Sequence, residues 1–252
     1  MGSPDVAAQL SRERGKKHFP VYCPLTLPFD SERLYGELIA LLPVFESLAT
    51  KSTNLERSRW FPLGDESLYA SVEHYVQDPS RPDDPPLFVP GAVPSWCGVS
   101  LTHVPDLPHT DRGSNRYRRR HDGAWAWKPD LDVPYTRELL ESLPFTRFDT
   151  VRVMSLPSGG FGPAHADCRD DTPWEIDGIA SITFLLRDGG VKWRFMASDG
   201  GLHDVNDPVF FFKDCAPHGV PRTTSRRLLL RINGAAEWRS LSRLLRLEDA
   251  VW

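Results

Sequence analysis

Three side chains carry chemistry at a usable spacing: His165, Asp167 and His218. The first two belong to His165-Ala166-Asp167, which closes the Gly/Pro-rich segment SLPSGGFGPAHAD directly after a strand-like run. In extended chain, residues two apart point to the same side, so an imidazole nitrogen and a carboxylate oxygen can meet at one point. His218 lies well downstream, behind the strand-like run VFFFKD. A barrel that returns this run beside the first completes a set of two histidines and one carboxylate. Such a set fills one face of an octahedral metal, suits Fe(II), and leaves three positions open.

A second arrangement of the same region uses His165, Cys168, Cys215 and His218 as a zinc site. The Cys215/His218 half has plausible spacing, but a carboxylate interrupts the other half, and small buried thiols near a barrel mouth account for both cysteines. His109, His121 and His203 have no second ligand at useful spacing. Nine residues beyond His218, Arg227 opens the β-like run RRLLLRIN. An arginine there can grip a carboxylate with two parallel hydrogen bonds. Arg226 and Arg231 compete for this role. By strand parity Arg227, Leu229 and Arg231 share one face, and Arg226, Leu228, Leu230 and Ile232 the other.

Taken together, the strand VRVMSL, HAD, the strands that follow, FFFKDCAPHGV and RRLLLRIN resemble the iron(II)/2-oxoglutarate-dependent oxygenase superfamily. The nearest flavours are its aspartyl/asparaginyl hydroxylase-like and free-amino-acid hydroxylase groups. The resemblance spans about residues 149–234. It implies a double-stranded β-helix, Fe(II) held by His165, Asp167 and His218, and O2 and 2-oxoglutarate as co-substrates. The family's spacing favours Arg227 as the grip on the 2-oxoglutarate tail. Ser181 and Thr183, on one face of their strand, are candidate hydrogen-bond donors to the same molecule. Arg231 is a candidate contact for the prime substrate, or half of a structural ion pair. Trp174 and Trp193 are candidate pocket walls, and Asp170, Asp171 and Glu175 sit where relatives carry substrate loops. Related halogenases have Gly or Ala at the position of Asp167, so this carboxylate favours hydroxylation over chlorination. The expected reaction is hydroxylation of an unactivated C–H in a small polar molecule, a free amino acid or natural-product intermediate. Peptidyl hydroxylation and a non-catalytic, cupin-like metal- or ligand-binding barrel are the alternatives.

These residues need elements to position them. Residues 149–237 carry short runs rich in β-branched and aromatic residues (150–156, 180–186, 191–197, 209–214 and 226–233), punctuated by Gly, Pro, Asp and Asn. No helical pattern separates them, which predicts an antiparallel sandwich or barrel rather than βαβ units. Residues 18–148 read as a helical and irregular part that roofs the barrel, within one structural domain. A helix is expected at 31–42, behind Asp30 and Ser31 and before Pro43, and another at about 134–143. Between them, DPSRPDDPPLFVPGAVP is a connector and 109–130 a polar surface loop or lid. Residues 1–17 read as a flexible tail and 238–252 as a short amphipathic C-terminal helix.

The 252 residues suit one large domain or two small ones. With 40% hydrophobic and 25% charged residues, the chain has the apolar mass for a sizeable core. A net charge of −4 offers no general attraction to nucleic acid. No run approaches the ~18 apolar residues of a membrane span, and the first twenty residues lack the apolar stretch of a secretory signal. Four cysteines without a CxxC fit a reducing cytoplasm. The oligomeric state stays open.

Overall fold

The structure, a computed structural model, describes residues 20–47, 75–76, 87–88, 96–103, 125–165, 179–212 and 216–252. In chain order its strands are β1 (Tyr22–Pro24), β2 (Glu46–Ser47), β3 (Tyr75–Val76), β4 (Leu87–Phe88), β5 (Cys97–Ser100), β6 (Thr102–His103), β7 (Ala126–Trp127), β8 (Phe145–Leu156), β9 (Gly162–His165), β10 (Ile179–Asp188), β11 (Trp193–Met196), β12 (Leu202–Val205), β13 (Val209–Phe212), β14 (His218–Val220) and β15 (Arg227–Ala236). The helices are α1 (Ser31–Ile39), α2 (Pro134–Glu141) and α3 (Trp238–Leu241).

Two antiparallel sheets hold the molecule together. The larger runs β1-β13-β10-β15-β8-β5-β2 and the smaller β12-β11-β14-β9. From β8 onward the chain crosses between them at every connection but the β11–β12 hairpin: β8, β10, β13 and β15 lie in the large sheet, and β9, β11, β12 and β14 in the small one. That eight-strand crossover pattern is the jelly roll, or double-stranded β-helix. The expected mainly-β class is therefore met by the strand order itself.

Strand parity sorts the side chains of the large sheet into two cores. Leu228, Leu230 and Ile232 face outward with Val151, Val153, Ile182, Phe184, Val209 and Phe211, against Leu34 and Leu38 of α1 and Leu139 and Leu140 of α2. Leu229, Leu185, Leu156, Phe210 and Phe212 face inward, against Trp193, Phe195 and Val220 of the small sheet. Because both faces are covered, these strands read as nearly continuous apolar runs.

The helices form where capping chemistry allows. Asp30 caps α1, its Oδ1 accepting from the Arg33 N–H at 2.9 Å. The apolar face was expected to run to residue 42; α1 stops at Ile39, and a 3-10 turn over Leu42–Val44 places Pro43 in its first turn, where no N–H is needed. α2 opens on Pro134. Glu37 of α1 accepts from the Tyr135 and Thr136 N–H groups at 2.8 and 2.7 Å, clamping the two helices through the N-terminus of α2.

Two expectations are corrected. Residues 238–252 are not one helix. α3 is a single turn, a 3-10 turn covers Leu247–Asp249, and Val251 bridges Tyr22. The Val21 N–H donates to Val251 O at 2.7 Å and the Val251 N–H to Tyr22 O at 2.9 Å. β1 is an edge strand, and covering its unpaired groups outweighs the local helical preference of this segment. The polar segment 109–130 is not loop throughout: Ala126–Trp127 pairs with Thr102–His103. Its residues 109–124, residues 1–17 and most of the 78–94 connector lie outside the described residues. No helix among the described residues is long and apolar enough to cross a membrane.

Candidate active site

The small sheet brings the two histidines together. β14 and β9 pair so that His218 and His165 are direct register partners, and His218 also lies opposite Phe195 of β11. His218 is buried, and its Nδ1 stands 2.8 Å from the Ala216 carbonyl. A carbonyl only accepts, so Nδ1 carries the proton and the lone pair of the neutral ring falls on Nε2, the tautomer of a metal-binding histidine. Its ring packs against Phe212, Phe195 and Trp193, with centroids 5.1, 5.8 and 5.9 Å away. Asp167, two residues past the end of β9, lies outside the described residues, as do Cys168, Asp170, Asp171, Trp174, Glu175 and Cys215.

Arg227 opens β15 and is fully buried. Its Nη1 donates to the carbonyls of Asp188 and Val191 at 2.6 and 2.8 Å. Among the described residues its Nε and Nη2 have no partner. Burial pushes the guanidinium down to about 9, against the opposing pull of the Asp188 carboxylate. A buried cation with two orphaned donors is costly, and an entering carboxylate would relieve both penalties. The guanidinium carbon lies 5.2 Å from the Trp193 ring centre, and the buried Trp193 indole N–H also has no partner among the described residues. Trp193 thus packs near both Arg227 and His218.

The parity inferred for β15 holds: Arg227, Leu229 and Arg231 face the barrel interior, while Arg226 is exposed and donates to Ser155 Oγ at 3.1 Å. Ser181 and Thr183 do share a face, but neither is opposite Arg227. Their register partners are Asn233 and Arg231, whereas Arg227 pairs with Asp188 at the far end of β10. The Ser181 hydroxyl donates to Asn233 Oδ1 at 2.8 Å and accepts from Arg231 Nε at 3.3 Å. Thr183 Oγ1 is buried with no partner among the described residues. Two inward polar residues, Asn233 and Arg152, were not singled out in the sequence. The signal was present: Arg152 interrupts the apolar run VRVM at the parity that faces the barrel interior.

The donor set suits the groups that the sequence resemblance implies. His218 has the metal-ready tautomer, and Arg227 offers orphaned, charge-bearing donors to a carboxylate one aromatic ring away. Among the described residues no three ligating side chains form a cluster, and Asp167 is not among those residues.

No protein-family model and no curated protein matches the chain. Solved structures do. It is similar to a Pseudomonas putida prolyl-4-hydroxylase at 16% identity and TM-score 0.39, over 92% of this chain and 99% of that one. It is similar to the viral collagen prolyl hydroxylase of Paramecium Bursaria Chlorella virus-1, solved as a 2OG complex, at 17% identity and TM-score 0.30, over 43% and 77%. A Burkholderia pseudomallei oxidoreductase of the 2OG-Fe(II) oxygenase family is similar at 10% identity and TM-score 0.37, over 60% and 75%.

Proposed function

We propose that this protein is an Fe(II)/2-oxoglutarate-dependent oxygenase that hydroxylates an unactivated C–H of a small polar molecule, a free amino acid or biosynthetic intermediate. The observation that carries the reading is the buried guanidinium of Arg227, with Nε and Nη2 unpartnered, one ring away from a histidine whose Nδ1 proton is held by a backbone carbonyl.

His165, Asp167 and His218 would hold the iron, a role supported by the register pairing of the two histidines. The bound metal, with O2 and 2-oxoglutarate, supplies the oxidising power for C–H cleavage, giving succinate and CO2. The chain's own side chains do the positioning. The Ala216 carbonyl keeps the His218 proton on Nδ1 and fixes the ring's orientation. Arg227 grips the distal carboxylate, and Trp193 lines the path between grip and metal. Phe195, Phe210 and Phe212 keep water from the interior. Asp167 would take a place at the metal that a halide needs, so turnover in high chloride is expected to give oxygenated or dehydrogenated product.

The test is a mass-spectrometric screen of amino acids and small metabolites for a product 16 Da heavier, formed alongside succinate. Succinate-linked +16 product from at least one compound supports the reading. Tightly held zinc, with neither O2 uptake nor succinate when iron is supplied, overturns it.

A further inference from the structure

Trp193 is wedged among five rings. Its indole stacks on Phe195 at 5.8 Å with the planes 9° apart and meets Phe210 edge-on at 5.9 Å. It also packs against Phe212, Trp96 and the His218 imidazole at 5.6, 6.3 and 5.9 Å. In so dense a setting the direction of its N–H is fixed before any ligand arrives. That N–H is buried and has no partner among the described residues. A buried indole N–H ordinarily finds an acceptor, and one left empty calls for an explanation. Packing alone does not supply it, because phenylalanine serves that purpose elsewhere on this wall: Phe195, two residues along β11, and Phe210 and Phe212 across the core. The indole stands where the wall meets Arg227, whose guanidinium carbon is 5.2 Å from its ring centre.

Arg227 lacks acceptors at the same place. Its Nη1 is satisfied by the Asp188 and Val191 carbonyls, whereas Nε and Nη2 are buried without partners among the described residues. The Asp188 carboxylate is engaged elsewhere: its Oδ1 accepts from the Gly190 N–H and its Oδ2 from Asn206 Nδ2. Two side chains in contact thus present three buried donors, two of them on a cation. A water would bring two protons that need acceptors of their own. A carboxylate brings about four lone pairs and no proton. It can take Nε and Nη2 side by side and keep a lone pair for the indole N–H.

We propose that Trp193 is a hydrogen-bonding residue of the co-substrate site, its indole N–H being the third donor, beside Arg227 Nε and Nη2, to the distal carboxylate of 2-oxoglutarate. This rests on the oxygenase reading of the site. It makes Trp193 a residue that selects the anionic tail, not a wall that the co-substrate slides past.

The test is an anaerobic titration of the Fe(II)-loaded full chain with 2-oxoglutarate, followed by the visible band of the chelate. Wild type is compared with Trp193→Phe, which keeps a ring and loses the N–H. A second variant carries benzothienylalanine at position 193, which keeps the shape of the indole and puts sulfur in place of the N–H. Iron binding, measured first, reports that each variant is folded; if Trp193→Phe holds no iron, the isosteric variant carries the test. Losing one hydrogen bond to a charged group in a dry site corresponds to about tenfold or more in Kd. Both variants are expected to weaken 2-oxoglutarate by that factor, with the Fe(II) Kd and the band maximum unchanged. An isosteric variant that binds 2-oxoglutarate as tightly as wild type would make Trp193 a packing residue and overturn the proposal, whatever Trp193→Phe does. A shifted band maximum would also overturn it, because the N–H would then serve the metal-chelating end of the molecule. Iron-loaded wild-type protein that gives no band would instead sink the oxygenase reading.

Discussion

The identities of Arg226 and Arg227 turn on strand parity, since adjacent residues of one strand face opposite sides. Arg227 is sealed inside with two orphaned donors; Arg226 is exposed and bonded to Ser155. Removing a charge-assisted grip on a carboxylate in a dry pocket costs about 2–5 kcal/mol, much of it from leaving the carboxylate unpaired. At about tenfold per 1.4 kcal/mol, Arg227→Ala raises the 2-oxoglutarate KM by roughly one to three orders of magnitude. Arg226→Ala changes it little, and steady-state kinetics over a 2-oxoglutarate series distinguishes the two. The parity of β15 was legible because Leu228, Leu230 and Ile232 alternate with two arginines and a leucine. The partners of Ser181 and Thr183 were not legible, because register across a sheet is set by pairing between distant segments and leaves no local mark. A shared face on one strand suggested a shared ligand with Arg227, but the pairing puts Thr183 beside Arg231.

Among the elements, α1, α2, β8, β10, β13 and β15 announce themselves by caps and continuous apolar runs. β9, β12 and β14 do not: GPAH, LHDV and HGV are short, polar or glycine-bearing, and owe their strand form to the partners they find. The site hangs on these weak strands, since β9 and β14 bring His165 opposite His218. Two element-level devices support it. The Glu37 clamp joins α1 to α2 on the outer face of the large sheet, and Glu37→Ala costs about 1–2 kcal/mol by loss of a helix-terminus acceptor, read as a lower urea midpoint at unchanged slope. The turn after β10 is held by Asp188, whose carboxylate accepts from the Gly190 N–H at 2.9 Å and Asn206 Nδ2 at 2.9 Å. Gly189 and Gly190 take φ of 70° and 75°, which favours glycine at both. The Gly190 and Asn206 bonds, in that order, hold the Asp188 carboxyl below its ordinary range. A depressed carboxyl contributes stability that is present above its unfolded pKa of about 4 and is lost as pH falls through the folded value. Asp188→Ala therefore flattens the acid limb of stability against pH. It also weakens 2-oxoglutarate binding, because the same turn presents the Asp188 and Val191 carbonyls that orient Arg227.

At the scale of the whole molecule, two cores share one sheet. The outer core gives the sheet its helical backing; the inner one is an aromatic interior that isolates Arg227 and His218 from bulk water. The jelly roll explains why residues far apart in sequence serve one site: strands that alternate between sheets return β14 beside β9 and β15 beside β10. The central claim is that His218 and Arg227 serve one Fe(II)–2-oxoglutarate site. Its most direct test is a titration of Fe(II)-loaded protein with 2-oxoglutarate in the absence of O2, followed by visible absorption. The account predicts a weak charge-transfer band that saturates at one 2-oxoglutarate per chain, is absent in His218→Ala, and needs at least tenfold more 2-oxoglutarate in Arg227→Ala. Iron-loaded wild-type protein that gives no band, or a band equally strong and equally tight in both variants, would contradict it.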